Sequence, residues 1–277
     1  MTLSGCSTIK VVYNNSDDLI YWWLDGYADL QGEQKQFTRD SLAELQRWHR
    51  QQQLPEYVAL LKRMQAMAPN DITPAQVCAV TEDMKSSFIR VLHHTEVPTA
   101  QLATQLNAEQ RRHVRQRFDE TNQDWKNDWL APDAQGRLRY RTKQATNRLE
   151  DFYGRLDKPQ RDVLHQWLST SIFDPAFSYA ERERRQADIL QTLQRMAQAG
   201  NATPQTQTQS QTWLRELVER SFNSPNERYR AYSQALWQEN CEGFAKLHNS
   251  TTPAQRQRMV EALRGYEQDF KTLMAQK

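Results

Sequence analysis

Ile72-Thr73-Pro74-Ala75-Gln76 writes a helix start in five residues. An apolar lead-in precedes a hydroxyl cap, then a proline at the first helical position, where no N–H is needed, then a glutamine able to reach back to the cap's own N–H. Variants recur at Leu106-Asn107-Ala108-Glu109-Gln110, Leu156-Asp157-Lys158-Pro159-Gln160 and Thr251-Thr252-Pro253-Ala254-Gln255, with a degenerate member at Leu30-Gln31-Gly32-Glu33-Gln34. Their spacing is uneven, so they read as one helix-start device used repeatedly and not as a solenoid of fixed period.

Outward from these starts, apolar residues recur at helical spacing. Phe37, Leu45 and Trp48 mark a surface helix over Glu33 to Gln53, and Leu54-Pro55 is expected to end it and open another bearing Tyr57, Val58, Leu60, Leu61 and Met64. Val114, Phe118, Trp125 and Trp129 run along one face up to a turn at Pro132 and Gly136, and Leu149, Phe152 and Tyr153 line the next helix. Val163, Leu164, Trp167 and Leu168 mark another. Asp174-Pro175 opens a helix that runs through Glu181-Arg182-Glu183-Arg184-Arg185, read as a solvated face, to Gly200. Ser224-Pro225-Asn226-Glu227 is read as a capping box, and the last helix carries Met259, Leu263, Tyr266, Phe270 and Leu273. Ser16 with Asp17 and Asp18 looks like a further start. The helix after it, with Leu19, Ile20, Trp22, Trp23, Leu24 and Tyr27, is apolar on nearly every side and is expected inside the body.

These patterns give an all-α fold class, a multi-helix bundle of long amphipathic helices joined by short Pro/Gly turns. Composition agrees: of 277 residues 38% are hydrophobic and 25% charged, too apolar for disorder, with only 8 glycines. The expected organisation is a tether over 1–15, a main helical body over 16–200, a polar Gln/Thr-rich linker or loop over 201–211, and C-terminal helices over 212–277 packed on the body.

Charge and cysteine usage narrow the setting. The net charge is +2 with no long Lys/Arg block, so nucleic acid is not an expected partner. The apolar run Leu19 to Leu24 is far short of the ~20 residues that span a bilayer. Leu3-Ser4-Gly5-Cys6 has the shape cleaved in bacterial lipoproteins, with Cys6 the acylated residue. Such a site needs a basic and apolar signal peptide before it, and only Met1-Thr2 precede it here, so either the leader lies upstream of Met1 or the box is fortuitous. Cys6 set aside, Cys78 and Cys241 are an even pair, open to a disulfide in an oxidising periplasm or to two buried thiols.

Candidate chemistry is sparse. Glu109 with His113 and Asp162 with His165 each share a helix face, but a metal needs three or four ligands, and surface ion pairs are the simpler reading. His93-His94 splay apart. No nucleophile elbow or glycine-rich phosphate loop appears, so no catalytic residue, metal or cofactor is expected, and the chain does not read as an enzyme. The eight tryptophans are expected mainly as core; Trp22 and Trp23, whose rings cannot both point inward, are the candidate exception, and with Trp48 form a possible binding surface.

Several segments together resemble an uncharacterised family of proteobacterial lipoproteins, domain of unknown function 6279. They are Tyr13-Asn14-Asn15 with Trp22-Trp23-Leu24-Asp25, Trp48-His49-Arg50 with Leu54-Pro55, Phe152-Tyr153-Gly154, and Phe173-Asp174-Pro175 with Ser178-Tyr179-Ala180-Glu181-Arg182. Asn240-Cys241 and Leu247-His248-Asn249-Ser250-Thr251-Thr252-Pro253-Ala254-Gln255-Arg256 complete them. The resemblance implies a lipid-anchored, mainly helical envelope protein with Cys6 acylated, and no catalytic residue. The repeated Leu/Thr-x-x-Gln starts also resemble, more weakly, those of periplasmic helical-hairpin chaperones of the spheroplast-protein type. The leading functional expectation is therefore a non-enzymatic protein tethered through a palmitate-type anchor to the outer membrane, since Ser7 and not Asp comes after Cys6, and presenting a surface to an envelope protein partner. An ATP-independent holdase is the rival, and an envelope hydrolase with a dispersed site the third reading.

Overall fold

The computed structural model describes residues 8–131, 133–200 and 203–276, and Cys6 lies outside them. Every regular element among the described residues is helical: α1 Thr8–Asn14, α2 Ser16–Ala28, α3 Glu33–Trp48, α4 Leu54–Met67, α5 Pro74–His94, α6 Glu96–Gln105, α7 Ala108–Trp125, α8 Ala134–Tyr153, α9 Lys158–Ser169, α10 Pro175–Ala199, α11 Pro204–Phe222, α12 Glu227–Asn249 and α13 Pro253–Ala275. Two wider π-turns, His49–Gln53 and Lys126–Leu130, extend α3 and α7.

Two sets of helices pack around two cores. In one, α2, α3 and α6 bury Tyr21, Leu30 and Leu42, and α7, α10 and α11 pack alongside. In the other, α13 packs on α4 and α8 while α12 packs on α5 and α9, burying Leu61, Leu149, Tyr153, Leu156, Leu164, Leu247 and Leu263. The last two helices, α12 and α13, thus share one core with α4, α8 and α9. Gly243 lets the Trp167 indole lie flat on α12, since a Cβ there would fall inside the ring.

The helix starts do more than cap. In four of them the glutamine is paired across space with the glutamine of another, forming two reciprocal clasps. In the first, Gln160 Nε2 donates to Gln255 Oε1 at 2.7 Å and Gln255 Nε2 donates to Gln160 Oε1 at 2.9 Å. Each Oε1 also accepts its own cap's N–H, from Asp157 at 3.0 Å and Thr252 at 2.9 Å. Each Nε2 also donates to a carbonyl of the opposite corner, Ser250 at 3.2 Å and Arg155 at 3.1 Å. The second clasp repeats the plan with Gln34 and Gln110, paired at 2.7 and 3.3 Å, their second N–H bonds going to Gln105 O and to Asp29 O. A primary amide has two donors and an acceptor with two lone pairs, and here all are used. The apolar lead-ins Leu30, Leu106 and Leu156 are buried beneath.

The clasps sit at opposite ends of one long helical run. From Glu33, in the α2–α3 corner, the chain stays helical through the π-turn to Met67, which at ~1.5 Å per residue is on the order of 50 Å. The fifth start, at Thr73, closes its own box but is clamped differently: Asn249 accepts from Ile72 N at 2.9 Å and donates to Ile72 O at 3.0 Å. Beside it His248, fully buried, meets Asn70 O through Nε2 at 2.9 Å and the Tyr153 hydroxyl through Nδ1 at 2.7 Å. Three corners, α4–α5, α8–α9 and α12–α13, therefore meet at one end.

Several expectations change. Residues 8–14 of the expected tether are helical, with Lys10 paired to Asp269 of α13 at 3.4 Å. Ser16 is the first residue of α2 and caps nothing. Leu54-Pro55 opens α4 with the proline in its first turn, as expected, but no break precedes it: the π-turn absorbs the proline's missing donor and clash, and the backbone runs on from α3 in helical geometry. The polar stretch expected as a linker is helical from Pro204, because Thr203 and Thr206 form a capping box that starts α11 there. Asn226, not Ser224, caps α12, because Ser224 turns inward. Pro132 lies outside the described residues, and Gly136 belongs to the first turn of α8.

Removing one clasp amide orphans its partner in a buried setting, at a cost of about 1–3 kcal/mol. Gln160→Ala and Gln255→Ala are each expected to lower the unfolding free energy measured in urea by that order, and the double variant by less than their sum. Additive losses would mean that the two amides act independently.

Candidate functional site

Two concavities border α5 and α12. The larger, about 920 Å³, lies between α5, the end of α11 and the first turns of α12. Phe222, Tyr229 and Trp237 give it aromatic walls, while Lys85, Arg185 and Arg230 face it against one carboxylate, Glu82. Lys85 pairs with Glu82 at 3.3 Å and its Nζ lies 5.6 Å from the Trp237 ring centre; Arg185 lies 5.8 Å from that of Tyr229. Cationic heads over rings are attracted by the ring quadrupole, and each of the three bases also has a carboxylate beside it, Lys85 with Glu82, Arg185 with Glu181 at 3.2 Å and Arg230 with Glu227 at 3.7 Å.

Cys78 forms part of this wall and is bonded to Cys241, with Cα atoms 5.5 Å apart across 163 residues of sequence. Of the two readings left open by the sequence, the disulfide is the one found. It ties α5 to α12 directly under the groove. Cys78→Ser with Cys241→Ser is expected to lower stability by about 2–5 kcal/mol, since a long loop regains its freedom in the unfolded chain. Equal unfolding midpoints with and without the bond would contradict this.

The floor toward α10 and α11 is electrostatic. Glu181 is only 4% exposed, so the run read as a solvated face is in part a buried junction. Its carboxylate accepts from Arg184 Nε and Nη2 at 3.0 and 2.8 Å, from Arg185 Nε at 3.2 Å and from Ser224 Oγ at 3.0 Å. Asp188 accepts two bonds from Arg220 at 2.9 and 2.8 Å, and Arg184 donates to the Arg220 carbonyl. The i,i+4 spacing of these charges is local and legible in the sequence, whereas their burial depends on the tertiary contact with α11.

Burial works to raise the Glu181 carboxyl, but the hydrogen bonds from Arg184 and Ser224 and the adjacent charges outweigh it and hold the pKa below the ordinary value. Asp188 is lowered chiefly by Arg220, and Glu96, on α6, chiefly by Arg215. A carboxylate depressed in the folded state stabilises fully above its unfolded pKa, near 4, and loses that contribution as pH falls through the folded value. Stability is therefore expected to drop below about pH 4, and Glu181→Gln to be less stable at neutral pH with a shallower acid limb in pH-resolved urea melts. An unchanged acid limb would refute this assignment.

The second concavity, about 180 Å³, is apolar, lined by Met64, Met67, Met84 and Met259 with Ile72, Val80 and Phe244. His248 borders it, but both ring nitrogens already have partners. Unbranched thioether side chains adapt to varied shapes. Neither concavity is foreseeable from the sequence, because their residues come from separate helices and carry no local pattern.

Residues singled out from the sequence are dispersed. Trp22 and Trp23 are 66% and 60% exposed, so α2 is not interior: only Tyr21 of that helix is buried. Trp48 is half-buried and stacked on His94 with ring centres 3.8 Å apart, and among the described residues no ring contact joins it to Trp22 or Trp23. The other tryptophans are half-buried. His113 reaches Gly26 O at 3.1 Å rather than Glu109, Asp162 pairs with Lys158 at 2.8 Å, and His93 bonds Glu96. Among the described residues no group of three or more His, Cys, Asp or Glu is placed to hold a metal ion, and no helix is long and apolar enough to cross a membrane.

No curated protein and no solved structure matches the chain. A family model does match, over residues 26–203, from the second half of α2 to the start of α11 and so across well over half of the sequence. The chain belongs to the Family of unknown function (DUF6279).

Proposed function

We propose that the protein is a lipid-anchored, non-enzymatic helical protein of the envelope, held at the outer membrane through an acylated Cys6 and facing the periplasm, where it offers the α5–α12 groove to a partner protein. The observation that carries this reading is the Cys78–Cys241 disulfide in the groove wall. Stable disulfides belong to oxidising compartments, and this bond accounts for two of the three cysteines, leaving Cys6 alone for a lipid. The groove chemistry suits an acidic segment carrying apolar side chains: Lys85, Arg185 and Arg230 line it and can donate to incoming carboxylates beside their present partners, and the aromatic rings cover the apolar groups next to them.

A photo-crosslinking residue at Gln234, on the groove, tests this in intact cells. The expected result is a crosslink to a discrete envelope protein, lost on reversing Lys85 and Arg230 to glutamate while the α-helical signal is retained. A crosslink indifferent to that reversal, or a protein recovered from the cytosol without acyl mass on Cys6, would overturn the proposal.

A holdase is the second reading, favoured by the methionine-lined slot beside exposed Met84 and Phe88. Adaptable apolar surface is what an unfolded client engages.

A further inference from the structure

We propose that the outward face of α1 and α2 lies in the headgroup layer of a phospholipid bilayer and fixes how the body stands on the membrane. Six large apolar residues are exposed within thirteen positions: Val11, Val12, Leu19, Ile20, Trp22 and Trp23. At 100° per residue, Leu19, Trp22, Trp23 and Gly26 share one stripe of α2, opposite buried Tyr21. That stripe holds no charge. Asp17 and Asp25 are half-buried toward the body, Asp25 accepting from Leu30 N at 2.9 Å, and Asp18 is bound to Arg39 at 3.0 Å. This helix is therefore amphipathic in the inverted sense for a water-facing surface, with its ionic groups inward and at the flank.

The short stretch of chain before α1 selects the occupant. Only Ser7 separates Cys6 from the first residue of α1, a reach of at most ~7 Å. An acyl chain on Cys6 would hold α1 against the headgroups, with the Trp pair two to three turns farther along. Trp is enriched at the membrane–water boundary, and an uncharged aromatic stripe matches that layer better than bulk water. An anchor at Cys6 fixes one point and leaves the body free to swing, so this face would add a second line of contact and restrict that swing. For its natural tether the inference rests on acylation of Cys6, and the test replaces that tether chemically.

With Cys78 and Cys241 bonded, Cys6 is the remaining thiol. The full chain is coupled through it to phosphatidylethanolamine–phosphatidylglycerol vesicles carrying a maleimide-headgroup lipid, and tryptophan emission is recorded with lipids brominated at shallow acyl positions. The expected result is a blue shift with quenching, most of both lost in the equally tethered, equally helical variant Trp22→Ser with Trp23→Ser. Quenching absent, or unchanged by the substitutions, overturns the proposal. So does self-association of the lipid-free chain that the same substitutions abolish, since a second copy would then cover the face. The mass of the native Cys6 peptide separately decides the acylation reading.

Discussion

A glutamine placed three residues after a helix cap is ordinarily spent on its own helix, its oxygen accepting the cap's N–H. In this protein the same oxygen accepts a second bond from a glutamine opposite, and the nitrogen is left to bind that glutamine and a carbonyl of the facing corner. Each clasp therefore joins the ends of four helices through two side chains. The desolvation cost of the buried amides is offset because each amide atom has its full set of partners. Net gains per bond are modest, about 1 kcal/mol, so the clasps act mainly by excluding other arrangements: an unmatched corner would bury amides without partners.

Two such corners at opposite ends of the helical run from Glu33 to Met67 set which helices lie side by side. The middle is closed by different means. The disulfide holds α5 to α12, and Glu181 and Asp188 hold α10 to α11 through Arg184 and Arg220. Between these fixed lines the groove stays open, because its cations are occupied by Glu82, Glu181 and aromatic faces instead of closing across it. At the other margin, α2 keeps Asp17 and Asp25 half-buried and Asp18 at its flank, and turns the rings of Trp22 and Trp23 outward.

Much of this was readable from the residues. The capping boxes at Thr73, Asn107, Asp157 and Thr252 mark helix starts where they stand, since capping is local chemistry. Their pairing was not readable, because one hydrogen bond within the box already explains the glutamine. Apolarity of Leu19 to Leu24 was plain, but periodicity states only that a face is apolar and not which medium it meets. Pro55 suggested a break since local rules take no account of a π-turn that widens the helix just before it. The polar stretch over 201–211 reads as a linker by composition, whereas helix formation from Pro204 depends on the cap at Thr203 and the packing of α11 on α6 and α10. The Cys78 and Cys241 pair could be counted but not joined, for proximity across 163 residues is a property of the fold. The segment Leu247 to Arg256 turns out to be the meeting point of three corners, a packing role for His248, Asn249, Gln255 and Arg256.

The clasps are the claim on which the helix arrangement stands, and the side-chain amide protons of Gln34, Gln110, Gln160 and Gln255 report on them directly by NMR. If these amides are paired as described, their exchange with solvent is strongly slowed and cross-relaxation links the two members of each pair. Exchange at the rate of an exposed glutamine, with no cross-relaxation between Gln160 and Gln255, would contradict the account.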